Sequence, residues 1–125
     1  DYLAEEIESL GASQKSACES AIMLILEHLL KIEFVPWPQD LRGWRKEVRA
    51  FRQNLKRNIS PSLRAKLSKD EALDDLYRFT LSELRQDLID DEVEGVVLPD
   101  VRPYSWAQIS VSEPHWYPEP RYATQ

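Results

Sequence analysis

Leu3, Ile7, Leu10, Gln14, Ala17, Ala21, Leu24 and His28 recur at steps that alternate between four and three residues. No other feature of this chain limits its fold as much. The spacing describes a heptad seam along one helix. Gly11 could cap one helix, with Ser13 opening a second. But the seam crosses Gly11 without a change of phase, and a break would normally reset it. One helix from about Tyr2 to Ile32 is therefore expected, with Gly11 tolerated at a cost of roughly 1 kcal/mol. From Ala17 onward this helix is apolar nearly all round. Such a surface must be buried on several sides, so the segment reads as the central helix of an all-α bundle.

Val35-Pro36-Trp37-Pro38 ends that helix. Two prolines forbid its continuation, and Trp37 is expected to anchor the loop. Trp44, Val48, Phe51, Leu55 and Ile59 then form a one-faced stripe, with Arg45, Lys46, Arg49, Arg52 and Lys56 assigned to the opposite, outer face. The segment 42–57 is thus a basic amphipathic helix. Ser60-Pro61 is a helix start, opening a short helix that runs to Leu67. Ser68-Lys69-Asp70-Glu71 matches a capping box for an acidic helix ending near Asp90, whose apolar face reads Leu73, Leu76, Tyr77, Thr80, Leu81, Leu84, Leu88. Residues 1–94 make the bundle. Residues 95–125 hold five of the eight prolines, with Trp106, Trp116, Tyr117 and Tyr122. A tail this aromatic is expected to pack on the same domain, with one helical turn near Tyr104–Ile109 capped by Ser105.

Charge is divided along the chain. Residues 42–69 contain ten Lys/Arg and one Glu, a local +9 within a chain of net charge −6, so the remainder carries −15. Pairing of the basic helix with the acidic one, in the same chain or a second copy, would neutralise much of this. The basic face also suits an acidic protein partner. Nucleic acid is the alternative reading of 42–57. It is disfavoured because Trp44 and Phe51 lie on the inward stripe, away from any base, and because the pI is about 4.9.

Chemistry-bearing constellations are sparse. Glu5, Glu6, Glu8, Glu19, Glu27 and His28 resemble a carboxylate-bearing metal helix, and a metal-dependent hydrolase is a second alternative. The Glu-x-x-His spacing fails, because residue 25 is Ile, so no metal or other cofactor is expected. His28 is expected to be a polar core residue bonded to a neighbouring helix, or else a pH-sensitive group. His115, in the tail, could serve as a lid or a ligand. Three glycines rule out a Gly-rich phosphate loop, and no nucleophile motif is present, so no catalytic residue is assigned. The single Cys18 excludes an internal disulfide and fits a reducing cytoplasm. The apolar run Ala21–Leu26 is too short to span a bilayer.

LAEEIESLG, then EHLLK, GWRKEVRAFR, SPSLR and PYSWAQI appear in that order. Each motif alone is unspecific. Together, from Leu3 to about Pro118, the chain resembles the bacterial family called domain of unknown function 29. The resemblance implies an all-α fold and no activity that can be carried over. It also implies a further helical stretch before LAEEIES, so an N-terminal part of the family domain is expected to be missing. An apolar groove left by that gap would favour self-association through the long helix. The functional expectation is a small non-enzymatic interaction module.

Overall fold

The computed structural model describes residues 2–111 and 114–124, with side chains for 11–111 and 114–122. Five α-helices follow in order: α1 Tyr2–Phe34, α2 Leu41–Asn58, α3 Pro61–Leu67, α4 Asp70–Asp90 and α5 Trp106–Ser110, with 3-10 turns at Pro38–Asp40 and Arg121–Thr124. Among the described residues there is no strand. α1 runs through Gly11 unbroken, and a Cβ there would meet nothing within 4 Å.

α1 is the centre. α2 packs along one side of it and α4 along another, and α5 and the last 3-10 turn also touch it. Among its described side chains the buried ones are Cys18, Ala21, Ile22, Ile25, Leu26, Leu29, Leu30 and Ile32. The buried face is therefore offset by one residue, about 100° round the helix, from the expected seam. Ala17 is exposed, Leu24 is 38% exposed and His28 is only partly buried. A strict seven-residue repeat drifts by about 20° per heptad against a straight helix. Over the two to three heptads from Leu3 to Leu24 that drift comes to about 40–60°, which accounts for part of the offset. The side chains of Leu3, Ile7 and Leu10 lie outside the described residues.

The junctions follow local chemistry. Trp37 is half-buried and packs 6.3 Å from Trp44, ring centroid to centroid. The Ser60 hydroxyl accepts from the Leu63 amide and caps α3. Ser68 does not cap α4 as expected. It is the C-cap of α3, and Lys69 occupies the N-cap of α4 without a side-chain bond. One serine cannot serve both ends when the two helices adjoin. α4 closes with a Schellman motif: Val93 N–H donates to Leu88 C=O at 2.9 Å and Glu92 N–H to Ile89 C=O at 3.0 Å. Glu92 adopts φ 58° to make it.

Beyond Gly95 the tail lies along the bundle. Leu98, Tyr104 and Ile109 are buried in the core. The Tyr77 hydroxyl donates to Pro99 C=O. The Tyr104 hydroxyl sits 3.0 Å from Leu29 C=O and 2.9 Å from Glu33 Oε1, two acceptors for one proton. Burial first, then the Glu33 carboxylate, pushes the Tyr104 phenol far up, so it stays protonated. Arg121 donates to the other Glu33 oxygen at 2.8 Å. Arg102, its side chain 8% exposed, donates to Asp74 and Asp70, each at 2.9 Å. α5 opens with a full capping box, Ser105 and Gln108 bonding reciprocally.

Candidate interaction surface on the basic helix

Of the five cations assigned to an outer face, the structure separates one completely. Arg52 is not on the surface: it is 1% exposed and counts among the largest fully buried side chains. Its Nε donates to Ile109 C=O at 3.0 Å, and its Nη2 donates to Gln108 C=O at 2.7 Å and Trp116 C=O at 2.8 Å. Nη1 lies 3.4 Å from His115 Nδ1. Gln108 and Ile109 belong to the last turn of α5, where carbonyls lack helical partners and the dipole favours a cation. The planar guanidinium fork can meet several such acceptors at once, which an ammonium cannot. Burial pulls its pKa down to about 10, partly offset by Tyr117, and the group remains charged at neutral pH.

The reason is geometric. Arg52 stands four residues after Val48 and three before Leu55, both buried. It sits on the flank of the inward stripe, where the tail covers α2.

Tyr117 gathers the neighbouring cations. Its ring centroid is 5.6 Å from the Arg52 guanidinium and 5.7 Å from that of Arg45. Its hydroxyl accepts from Arg49 Nη1 at 3.2 Å, and His115 stacks on it at 6.2 Å. Arg45 is half-buried, and its Nε has no hydrogen-bond partner among the described residues. Arg49, Lys46 and Lys56 are exposed, as are Arg42, Arg57, Arg64 and Lys66.

Among the described residues, no ion pair involves any of the ten Lys/Arg of residues 42–69. The acidic helix does not neutralise them. Asp70 and Asp74 are taken by Arg102 from the tail, and Asp75 by Arg78. Arg85 pairs with Asp100 and Arg121 with Glu33. The arginines outside the basic segment are therefore matched with acids, and those inside it are not. The expected internal pairing of basic with acidic helix does not form.

His28 bonds to its own helix rather than to a neighbour. Its Nδ1 lies 2.7 Å from Leu24 C=O, and a protonated Nδ1 donates there. The ring packs 5.2 Å from Phe51. Burial lowers its pKa, so the neutral imidazole is favoured. Among the described residues no group of three or more His, Cys, Asp or Glu side chains is placed to hold a metal ion. The carboxylates of Glu5, Glu6 and Glu8 lie outside the described residues. Among the described residues no helix is long and apolar enough to cross a membrane.

Sequence reasoning did not find the roles of Arg52, Arg102 and Arg121. Only Arg52 carried a local signal, its place at i+4 from Val48 and i−3 from Leu55. The other two depend on where the tail crosses the bundle.

Fold and surface together define a small all-α domain, strapped by its own tail and carrying an unneutralised basic face. The chain belongs to the family Domain of unknown function DUF29, whose sequence model matches residues 1–116. That match takes in the domain essentially whole, which overturns the expectation that an N-terminal part of it is missing from these residues and removes the basis for a groove left by such a gap. No curated protein matches the chain, and no solved structure does.

Proposed function

We propose that the chain is a non-enzymatic protein–protein interaction module of a bacterial cytoplasm, docking an acidic partner on the outer faces of α2 and α3. The carrying observation is the set of exposed cations without an internal counter-charge: Lys46, Arg49, Lys56, Arg57, Arg64 and Lys66. α2 spans about 27 Å at 1.5 Å per residue, enough for several charge contacts in a row. Complementary charge of this kind speeds encounter and selects partners. The lone thiol, buried and pushed further from ionisation by its surroundings, fits a reducing compartment. An acidic protein is favoured over nucleic acid because the aromatics of α2 itself, Trp44 and Phe51, pack against the core and are turned away from its outer face.

The test compares the chain with its Lys46→Glu/Arg57→Glu variant in capture from nuclease-treated lysate, with cross-linking to locate the contact. The reading expects an acidic protein cross-linked through lysines 46, 56 or 66, and lost from the variant. Retention unchanged by the charge reversal contradicts it. Material captured from a parallel untreated lysate but entirely absent after nuclease treatment hands the surface to nucleic acid.

A further inference from the structure

Where α2, α3 and α5 meet, the basic face is not flat. Two hollows adjoin there and share the walls Lys56, Ile59 and Arg64. The outer one, about 520 Å³, is completed by Ser60, Pro61, Ala65 and Ser68. The inner one, about 180 Å³, has Leu55 and Trp106 on its walls, with Arg52 behind. The two side chains common to both hollows that carry charge are cations, and neither is ion-paired among the described residues. No carboxylate lines either hollow.

The two hollows differ in what they suit. The inner one offers the half-buried indole of Trp106 facing Leu55 and Ile59, surfaces suited to a flat ring. The outer one offers a guanidinium, an ammonium and hydroxyls. A guanidinium fork fits the oxygens of a phosphate with two parallel bonds, and an ammonium adds a point charge. A carboxylate would meet the charge and leave the ring slot empty. An apolar ring without an anion would leave Lys56 and Arg64 unanswered.

We propose that this cleft binds an organic phosphate bearing a planar ring, of which a nucleotide is the simplest: the ring against Trp106 and the phosphate between Lys56 and Arg64. The proposal does not depend on the protein partner inferred above, since it concerns a ligand that binds the isolated chain.

The test uses the purified chain at low salt, titrated with ATP, adenosine and inorganic pyrophosphate, and read by calorimetry and tryptophan fluorescence. ATP should bind saturably and change the emission. Adenosine should bind at least about tenfold more weakly, the loss expected when charge-assisted hydrogen bonds are removed. Pyrophosphate should bind without the emission change, and Trp106→Phe should abolish that change for ATP. Lys56→Ala/Arg64→Ala should weaken ATP by about tenfold or more. Lys46→Ala/Arg57→Ala, which removes the same charge elsewhere on the face, should alter affinity less than about twofold. All four positions are exposed, and thermal melts establish that each variant folds. Absence of saturable ATP binding overturns the proposal. So does equal weakening by the two double variants, which would mean diffuse charge rather than a cleft.

Discussion

Arg52 is the most deeply buried charged side chain among the described residues, and its acceptors are backbone carbonyls rather than a carboxylate. Removing it strands the carbonyls of Gln108, Ile109 and Trp116 and opens space beneath the tail. Arg52→Ala should cost about 3 kcal/mol, while Arg49→Ala, at an exposed position, should stay within about 0.5 kcal/mol. Denaturant melts measure both, and comparable losses would mean that the helix face is misassigned. Arg52→Lys keeps the charge but not the fork and should fall between wild type and alanine. At this scale the sequence was legible in its spacing and misleading in its chemistry. The register put Arg52 beside Val48 and Leu55, but a cation is read as surface by default, since an isolated buried charge is costly. What reversed the balance was a set of unpaired carbonyls 56 to 64 residues away in the chain, which no local pattern contains. His28 makes a second residue-scale prediction. Its folded pKa lies below the usual 6.5, chiefly through burial, with Lys31 acting the same way and the Leu24 carbonyl, Glu27 and Glu47 opposing. The unfolded chain then takes up the proton first. The resulting stability is present above about pH 6.5 and is lost as pH falls through the lowered value. His28→Gln should flatten that part of the pH–stability curve, and an unchanged slope would contradict the assignment.

Elements whose ends are set by their own residues were readable: Ser60 with Pro61 and Ser105 with Gln108 each cap the helix that follows. The apolar stripes of α2 and α4 were equally plain, since both helices bury one face. α1 was legible as one long helix but not in its facing. It is flanked by α2, α4 and the tail, and a helix apolar nearly all round carries little information about which side is deepest. The end of α4 carries a correctable defect. Glu92 occupies the left-handed position of the Schellman motif, and its negative charge stands at the negative end of the helix dipole. A non-glycine residue there costs roughly 1 kcal/mol, so Glu92→Gly should raise stability, by up to about 1 kcal/mol after the flexibility it adds to the unfolded chain. A thermal melt decides this, and a lower midpoint would show that the Glu92 side chain holds the turn. The tail is fastened at several points: Arg102 to α4, Tyr104 and Arg121 to Glu33 of α1, and Arg52 of α2 to α5 and Trp116. That it would pack was visible in its aromatics. The fastenings were not, because each joins positions at least 28 residues apart.

Across the whole molecule, charge is sorted rather than blended. The arginines of α4 and the tail are matched with acids, whereas the ten cations of residues 42–69 form no ion pair among the described residues. The imbalance was legible as a count, but whether it would be cancelled internally was not. That depended on Arg102 of the tail pairing with Asp70 and Asp74 of α4. The basic segment thus divides into a buried clamp, Arg52, and an open face around it. Arginine-specific chemical labelling of the native chain, followed by peptide mapping over time, tests that division directly. Arg42, Arg49, Arg57 and Arg64 should be modified rapidly, with Arg52 protected until the protein unfolds. Modification of Arg52 at the rate of Arg49 in the folded protein would contradict it.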